Sequence, residues 1–360
     1  MVGGQVKIGY SFWGFLGAGI TDTPDGGRSH RRPLIDGLIS AGHEVVFLQR
    51  NRDLHEAGYD LRHLYAWDDG LPAIDALFLE WRWPVPGRST TPCGSPGHTC
   101  DLHRQDEIVG YYTARRRLPT IVWDKDLQLE PGSPLRSAPN VTVCEAGLQP
   151  AAGAESLLFP VPDSALDEAD PVALAVLPRH LLLVYAGNQY DRDEAFTEFF
   201  APAARQYPHR VAGKWTRTEA WPHVNFTGRC AFPEVRELHL SALATVLLLP
   251  GRYARAGQMT QRLPEAVLAG CLPVTPATLP YAPAFTPPVL QAANGDEVAG
   301  IISGLQRIAG TSGHADLIAR CIAMLGIFRL SRQIATIDRI LRRLTDASSA
   351  CPPPCPAPAR

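Results

Sequence analysis

Residues 7–49 read KIGYSFWGFLGAGITDTPDGGRSHRRPLIDGLISAGHEVVFLQ. The run 7–12 is apolar, of strand length, and opens into a glycine-rich stretch over 14–27. Helix signals follow: Ser29 as a cap, Pro33 in the first turn, and Leu34, Ile35, Leu38 and Ile39 on one face. Ala41-Gly42-His43 closes that helix, and 44–49 is a second apolar run. Strand, loop, helix and strand in this order predict a parallel pair with a right-handed crossover, since parallel neighbours need a connection long enough to return across the sheet.

The pattern continues outward. The runs 74–79, 120–123 and 141–144 have the composition of strands buried on both faces. Between them, 84–99 is rich in Pro, Gly, Ser and Thr and reads as a loop, and 101–117 as a helix. Prolines and small residues over 160–171 mark a break. Beyond it, strands are expected over 181–186, 210–213, 224–226, 245–249 and 272–275. Helices are expected over 193–205, 233–244, 261–269, 298–308 and 318–343. This predicts two α/β halves, 1–165 and 172–315, each a parallel sheet covered by helices. The amphipathic stretch 316–345 is expected to cross back onto the first half. The Pro-rich tail 346–360 is expected to be disordered.

Composition bounds the function. The chain has 360 residues, enough for two cores, with 45% apolar and 19% charged residues. A net charge of −2 argues against a protein whose main work is neutralising phosphate backbones, and leaves room for a nucleic-acid substrate held briefly. The apolar runs fall far short of the ~20 residues that span a bilayer. The stretch 8–20 follows Lys7 but is interrupted by glycines, and it reads as a strand and loop rather than a leader. The eight cysteines are scattered, and a chain of this size needs no disulfide framework. They read as reduced, and the protein as cytoplasmic.

Ligands of such sheets sit beyond the carboxyl ends of the strands. The loop Gly257-Gln258-Met259-Thr260-Gln261-Arg262 opens into a helix, which offers N–H groups to a diphosphate. Arg262 adds a forked donor, and Glu265 one turn on can accept from a ribose diol. A surface Arg–Glu pair is the plainer reading of the same spacing. The turn Gly187-Asn188-Gln189-Tyr190-Asp191-Arg192-Asp193 follows a strand. There Asn188 and Tyr190 can meet a base or sugar and Arg192 a phosphate, or Asp191 or Asp193 can simply cap the helix. Gly213-Lys214-Trp215 offers a cation and an indole, with a core tryptophan as the alternative, and Gly228-Arg229 is a weaker version. At the first helix, Gly26 and Gly27 allow close backbone approach. Asp25 and His30 are candidate general bases there.

Three further signals are set aside. Asp124-Lys125-Asp126 resembles a D-x-D metal motif, but two carboxylates alone rarely fix a metal. Cys93, His98, Cys100 and His103 have the spacing C-x4-H-x-C-x2-H, which fits no common zinc knuckle, so no metal site is expected. Arg115-Arg116-Arg117 reads as a solvated helix end. No G-x-G-x-x-G occurs among the early glycines.

The segment DGGRSHRRPLIDGLISAGHEVVFL, 25–48, resembles the opening of GT-B glycosyltransferases. RLPEAVLAGCLPVTP, 262–276, resembles their donor-binding helix and the turn after it. The loops at 187–193, 213–215 and 228–229 are similar in placement to the donor-side loops of the bacterial spore-coat type. The resemblance spans about residues 5–345. It implies two Rossmann-like domains facing a cleft, with a nucleoside-diphosphate sugar on the C-terminal side and an acceptor on the N-terminal side. It implies no cofactor and no metal. Glu265 would hold the ribose, Arg262 and the amides near Thr260 the diphosphate, and Gly26 and Gly27 would approach the donor phosphate. The E-x7-E pair of many retaining members is incomplete, because Gly257 lies where the first glutamate is sought. The acceptor is left open among a natural product, a glycan, a protein and a modified nucleic acid. The competing readings are a nucleotide-sugar epimerase of the same fold, a two-domain NAD-dependent oxidoreductase, and a sugar- or nucleotide-binding module without turnover.

Overall fold

The computed structural model describes residues 5–17 and 28–350, with side chains as far as 347. Asp25, Gly26, Gly27 and the tail over 351–360 lie outside the described residues. Seven parallel strands form the first sheet: β1 (Lys7–Ser11), β2 (Glu44–Phe47), β3 (Ala66–Trp67), β4 (Ala76–Glu80), β5 (Thr120–Asp124), β6 (Val141–Glu145) and β7 (Glu155–Ser156), in the order 3-2-1-4-5-6-7. In register, Ile8 stands beside Val45 and Ala76. β4 and β5 are buried at every position, as continuous apolar strands covered on both faces must be. Helix α1 (Arg28–Ser40) makes the crossover from β1 to β2, and α2 (Asp101–Ile108) follows the long loop after β4.

The second sheet contains β8 (Leu181–Ala186), β9 (His209–Ala212), β10 (Ala242–Val246), β11 (Leu272–Pro276) and β12 (Gln291–Ala292), all parallel, in the order 12-11-10-8-9. Its helices include α3 (Phe232–Leu240), α4 (Gly251–Arg255), α5 (Arg262–Val267), α6 (Gly295–Ile308) and α7 (Ser312–Met324). Helix α8 (Leu330–Ala350) then lies on the first half. Its Ile334, Ile337, Ile340, Leu341 and Leu344 share a core with Ile8, Leu34, Phe78 and Trp123. Its start is fixed by the Leu330 amide on the Val161 carbonyl and its middle by His43 against Asp338, both short contacts.

Three expectations change. Residues 224–226 form no strand and make only an isolated bridge, Phe226 with Val211. β10 begins at Ala242, inside the stretch expected as helix, because Ser241 ends α3 in a single residue. The helix expected over 318–343 is two helices, α7 and α8, parted by a 3-10 turn at Leu325–Phe328. No helix among the described residues is long and apolar enough to cross a membrane.

Candidate functional site

The crevice of an open parallel sheet lies where the strand order reverses. In the second sheet this is between β8 and β10. Arg262, at the start of α5, reaches across it. Its Nε donates to the Ala186 carbonyl and its Nη1 lies 3.4 Å from the Thr260 hydroxyl. A Cβ on Gly187 would stand 2.5 Å from Arg262 Nη2, so glycine is what leaves the guanidinium room. Gly213, at φ +139°, is pressed against the Gly187 carbonyl in the same way.

Hydrogen bonds lace the turns after β8 and β9 together. The Lys214 amide donates to Asn188 Oδ1 at 2.8 Å, the Gln189 amide to the Lys214 carbonyl at 2.9 Å, and Trp215 Nε1 to the Gly187 carbonyl at 2.7 Å. The Trp215 ring packs on Phe196, with centroids 4.4 Å apart, and on Tyr185 and Phe226. The expected exposed platform for a base is thus a packed indole that holds the turn. Lys214 and Arg229 are exposed, and Tyr190 stands in solvent under the Arg252 guanidinium. Arg192, only 7% exposed, donates to the carbonyls of Leu248, Tyr190 and Asn188. It ties the β8 turn to the end of β10, with its charge behind the crevice.

Neither Arg192 nor Arg262 forms an ion pair among the described residues. Burial, and then the Arg262 charge, pushes the fully buried His239 of α3 down to about 4, so it stays neutral. The amides of Thr260, Gln261 and Arg262 donate to no acceptor among the described residues, and Gln261 Nε2 is buried without a partner. At this end of the sheet Arg192 and Arg262 thus have no carboxylate within ion-pair distance among the described residues, and free donors stand beside them.

Glu265, partly buried in the first turn of α5, faces the first half. Burial pushes its carboxyl up, against the pull of Arg262 and of the Ser29 hydroxyl on α1. Arg28 of α1 lies over Phe232 of α3, 5.9 Å from the ring centroid. Elsewhere the halves are tied near Gly257, whose positive φ of 59° brings it against the Tyr281 ring. Its carbonyl accepts the Leu148 amide at 3.1 Å. Gln258 Nε2 donates to the Lys125 carbonyl at 2.7 Å, and Tyr253 to Asp126 Oδ1 at 2.5 Å. The D-x-D residues thus serve structure: Asp126 bridges the halves, and Asp124 accepts the amides of Gln128 and Leu129 at 2.9 and 2.7 Å.

In the first half, the reversal lies between β1 and β4. At the end of β4, Glu80 is gripped by Arg31 of α1 through Nε at 2.8 Å and Nη2 at 2.6 Å. Lys125 Nζ lies 2.6 Å from Oε2, the oxygen Arg31 Nη2 also meets, and the Tyr10 hydroxyl donates to Oε1 at 3.0 Å. All three charged groups are buried. Burial pushes the Glu80 carboxyl up, but the two cations outweigh it and hold it at about 2. Sequence reading missed this triad. The one signal was a glutamate closing a fully apolar strand, a place a carboxylate occupies only when paired. His30, expected as a base, is 3% exposed, with its ring between Phe159 and Trp123, which removes it from the cleft surface.

Two other groupings stand apart. A shallow depression beside Trp221 is lined by Asp193, Glu194, Glu198 and Glu219, with one cation, Arg217, and is unsuited to an anion. Cys93, His98, Cys100 and His103, whose spacing fits no common zinc knuckle, present ligand atoms all within 4.8 Å of one another.

No sequence-family description and no curated protein sequence matches the chain. Solved structures do. T4 phage BGT, determined in complex with UDP and Mn2+, aligns with a TM-score of 0.63 at 11% identity over 93% of this chain and 99% of that one. A glycosyltransferase from Rickettsia africae aligns at 0.55 and 9% identity over 95% and 99%. AviGT4, a glycosyltransferase involved in avilamycin A biosynthesis, aligns at 0.52 and 16% identity over 96% and 99%. The fold is GT-B. In this GT-B chain the two crevices meet where Glu265 approaches Ser29 and Arg28 covers Phe232.

Proposed function

We propose that the chain is a glycosyltransferase that moves a sugar from a nucleoside-diphosphate donor to an acceptor hydroxyl. The observation that carries this reading is Arg262, held over Gly187 at the β8/β10 reversal with no carboxylate partner among the described residues. A diphosphate supplies the missing anion, and the free amides of 260–262 add donors. Two of the similar structures support the choice of donor: T4 phage BGT was solved with UDP and with UDP-glucose.

In this reading 172–315 holds the donor and 1–165 the acceptor, with 316–345 bracing the acceptor side. Glu265 accepts from the ribose hydroxyls. The anomeric C–O bond to the diphosphate breaks, and Arg262 and the amides take up the charge on the leaving oxygen. The acceptor oxygen forms the new bond and gives up its proton to a base. Asp25, just ahead of α1, is assigned that role. The chain's own cations serve the leaving group without a metal, since Asp124 and Asp126 are engaged in structural hydrogen bonds.

Calorimetry with UDP-glucose and UDP, with and without EDTA, tests this. Binding of both in EDTA is expected. Arg262→Ala should weaken UDP by about 10- to 100-fold, the worth of a charged hydrogen bond at ~1.5–3 kcal/mol. Glu265→Ala should weaken UDP-glucose binding. Full affinity in both variants, or binding only with Mn2+, would overturn the donor assignment or its metal independence respectively.

A further inference from the structure

The loop between β4 and α2 is the longest irregular connection among the described residues, and it follows the first sheet's reversal point. Not one residue over 81–100 is buried, so no apolar core holds it. Irregular connections of this length are uncommon in a compact fold without something to fix them. Its backbone nevertheless turns sharply at Gly94 and Gly97, with φ of 85° and 75°. Gly94 directly follows Cys93, and Gly97 directly precedes His98. These two left-handed turns fold the loop back on itself. They bring Cys93 and His98 to Cys100, the residue capping α2, and to His103 in its first turn.

We propose that Cys93, His98, Cys100 and His103 bind a structural zinc ion that fastens this loop to α2. Two thiolates and two imidazoles are a tetrahedral zinc set, too soft for magnesium or calcium. Bond lengths of ~2.3 Å to sulfur and ~2.0 Å to nitrogen put neighbouring ligands ~3.3–3.8 Å apart. Cys93 Sγ and His103 Nδ1 are already 3.4 Å apart, and the whole set lies within 4.8 Å. His98 is oriented for the task. Its Nδ1 meets the Thr91 hydroxyl at 3.1 Å, while its Nε2 is buried with no partner. A hydroxyl or carbonyl on one ring nitrogen commonly fixes the other for a metal. Binding releases two thiol protons, and Zn2+ with two thiolates leaves the site neutral. The site does not depend on the sugar-transfer reading. If that reading holds, the fastened loop forms one wall of the acceptor side.

The test uses the full chain purified under reducing conditions without chelator, then dialysed. About one zinc per chain is expected by elemental analysis. Replacement by Co2+ should give the intense near-ultraviolet absorption of thiolate-bound cobalt. Cys93→Ser or Cys100→Ser should lose both signals, and Cys230→Ser should keep them. Thr91→Ala should weaken zinc by ~10–100-fold without abolishing it. Chelation should speed tryptic cleavage at Arg88 severalfold. No zinc above the cysteine variants, no cobalt–thiolate absorption, or a Cys93–Cys100 disulfide in the reduced preparation would each overturn the site. None of these readouts involves a nucleotide, so its failure is separate from failure of the donor assignment.

Discussion

The two points of strand reversal are built on opposite electrostatic plans. At β4, a carboxylate and two cations are sealed together, and Arg31 and Lys125 are both paired with Glu80 within the protein. At β8, the cations Arg262 and Arg192 are bonded only to carbonyls and a hydroxyl, and the nearby histidine is kept neutral. In the first cluster the carboxylate is taken up by two buried cations, and close pairing offsets their desolvation. In the second the cations are held in place by neutral dipoles and remain attractive to an anion. The contrast separates a charge cluster that fastens α1 to its sheet from one left open to an anion.

The largest test breaks the paired side. Glu80→Gln leaves Arg31 and Lys125 buried without a counter-charge. It should cost ~3–5 kcal/mol in denaturant unfolding at neutral pH, the usual penalty for orphaning a buried ion. A loss below ~1 kcal/mol would show that the triad is solvated in solution.

Next is His239. Its pKa falls from an ordinary 6.5 to about 4, so it must stay neutral to remain folded. Its contribution is whole above pH 6.5 and is lost as pH falls toward 4, by ~3 kcal/mol in all. Asp124, which burial pushes up to about 6, works in the opposite sense, gaining stability as pH falls from 6 toward 3.8. The comparison is therefore wild type against His239→Leu. The variant should lack the loss between pH 6.5 and 4, and parallel curves would refute the assignment.

The glycines sharpen the picture at smaller cost. Gly213→Ala puts a side chain at φ +139° against the Gly187 carbonyl and should destabilise by ~1–3 kcal/mol. The nearest atoms that a Cβ in Gly187→Ala would meet belong to the guanidinium end of Arg262. The substitution should change stability by less than ~1 kcal/mol while weakening UDP, because the guanidinium is displaced. Equal effects of the two on unfolding would erase the distinction between a turn-forming and a ligand-positioning glycine.

Much of the fold was legible because its central strands are continuous apolar runs, which only sheets covered on both faces accommodate. Where reading slipped, long-range contacts decided. The stretch 232–246 keeps helical spacing past Leu240, and no Gly or Pro marks the stop at Ser241. The break between α7 and α8 comes from Val161, whose backbone pairs with Phe328 and Leu330. The loops at 187–193 and 213–215 were visible as polar clusters after strands, yet the packing of Trp215 and the burial of Arg192 depend on partners far along the chain. Arg31 finds its partner Glu80 only 49 positions on, beyond the reach of local spacing. The cysteine–histidine spacing was discounted because it matches no familiar knuckle, and what gathers those ligands is backbone conformation at two glycines.

Helix α8 completes the first half's core only after the second sheet has been made. On the ribosome, β1 to β7 therefore emerge with a greasy groove that residues 330–344 will later fill. Nascent chains usually mature domain by domain from the amino end. Here the core of the amino half is complete only once residues 330–344 have been made. Cutting the gene between the two sheets should then yield a first half that aggregates, and supplying α8 in trans should rescue it.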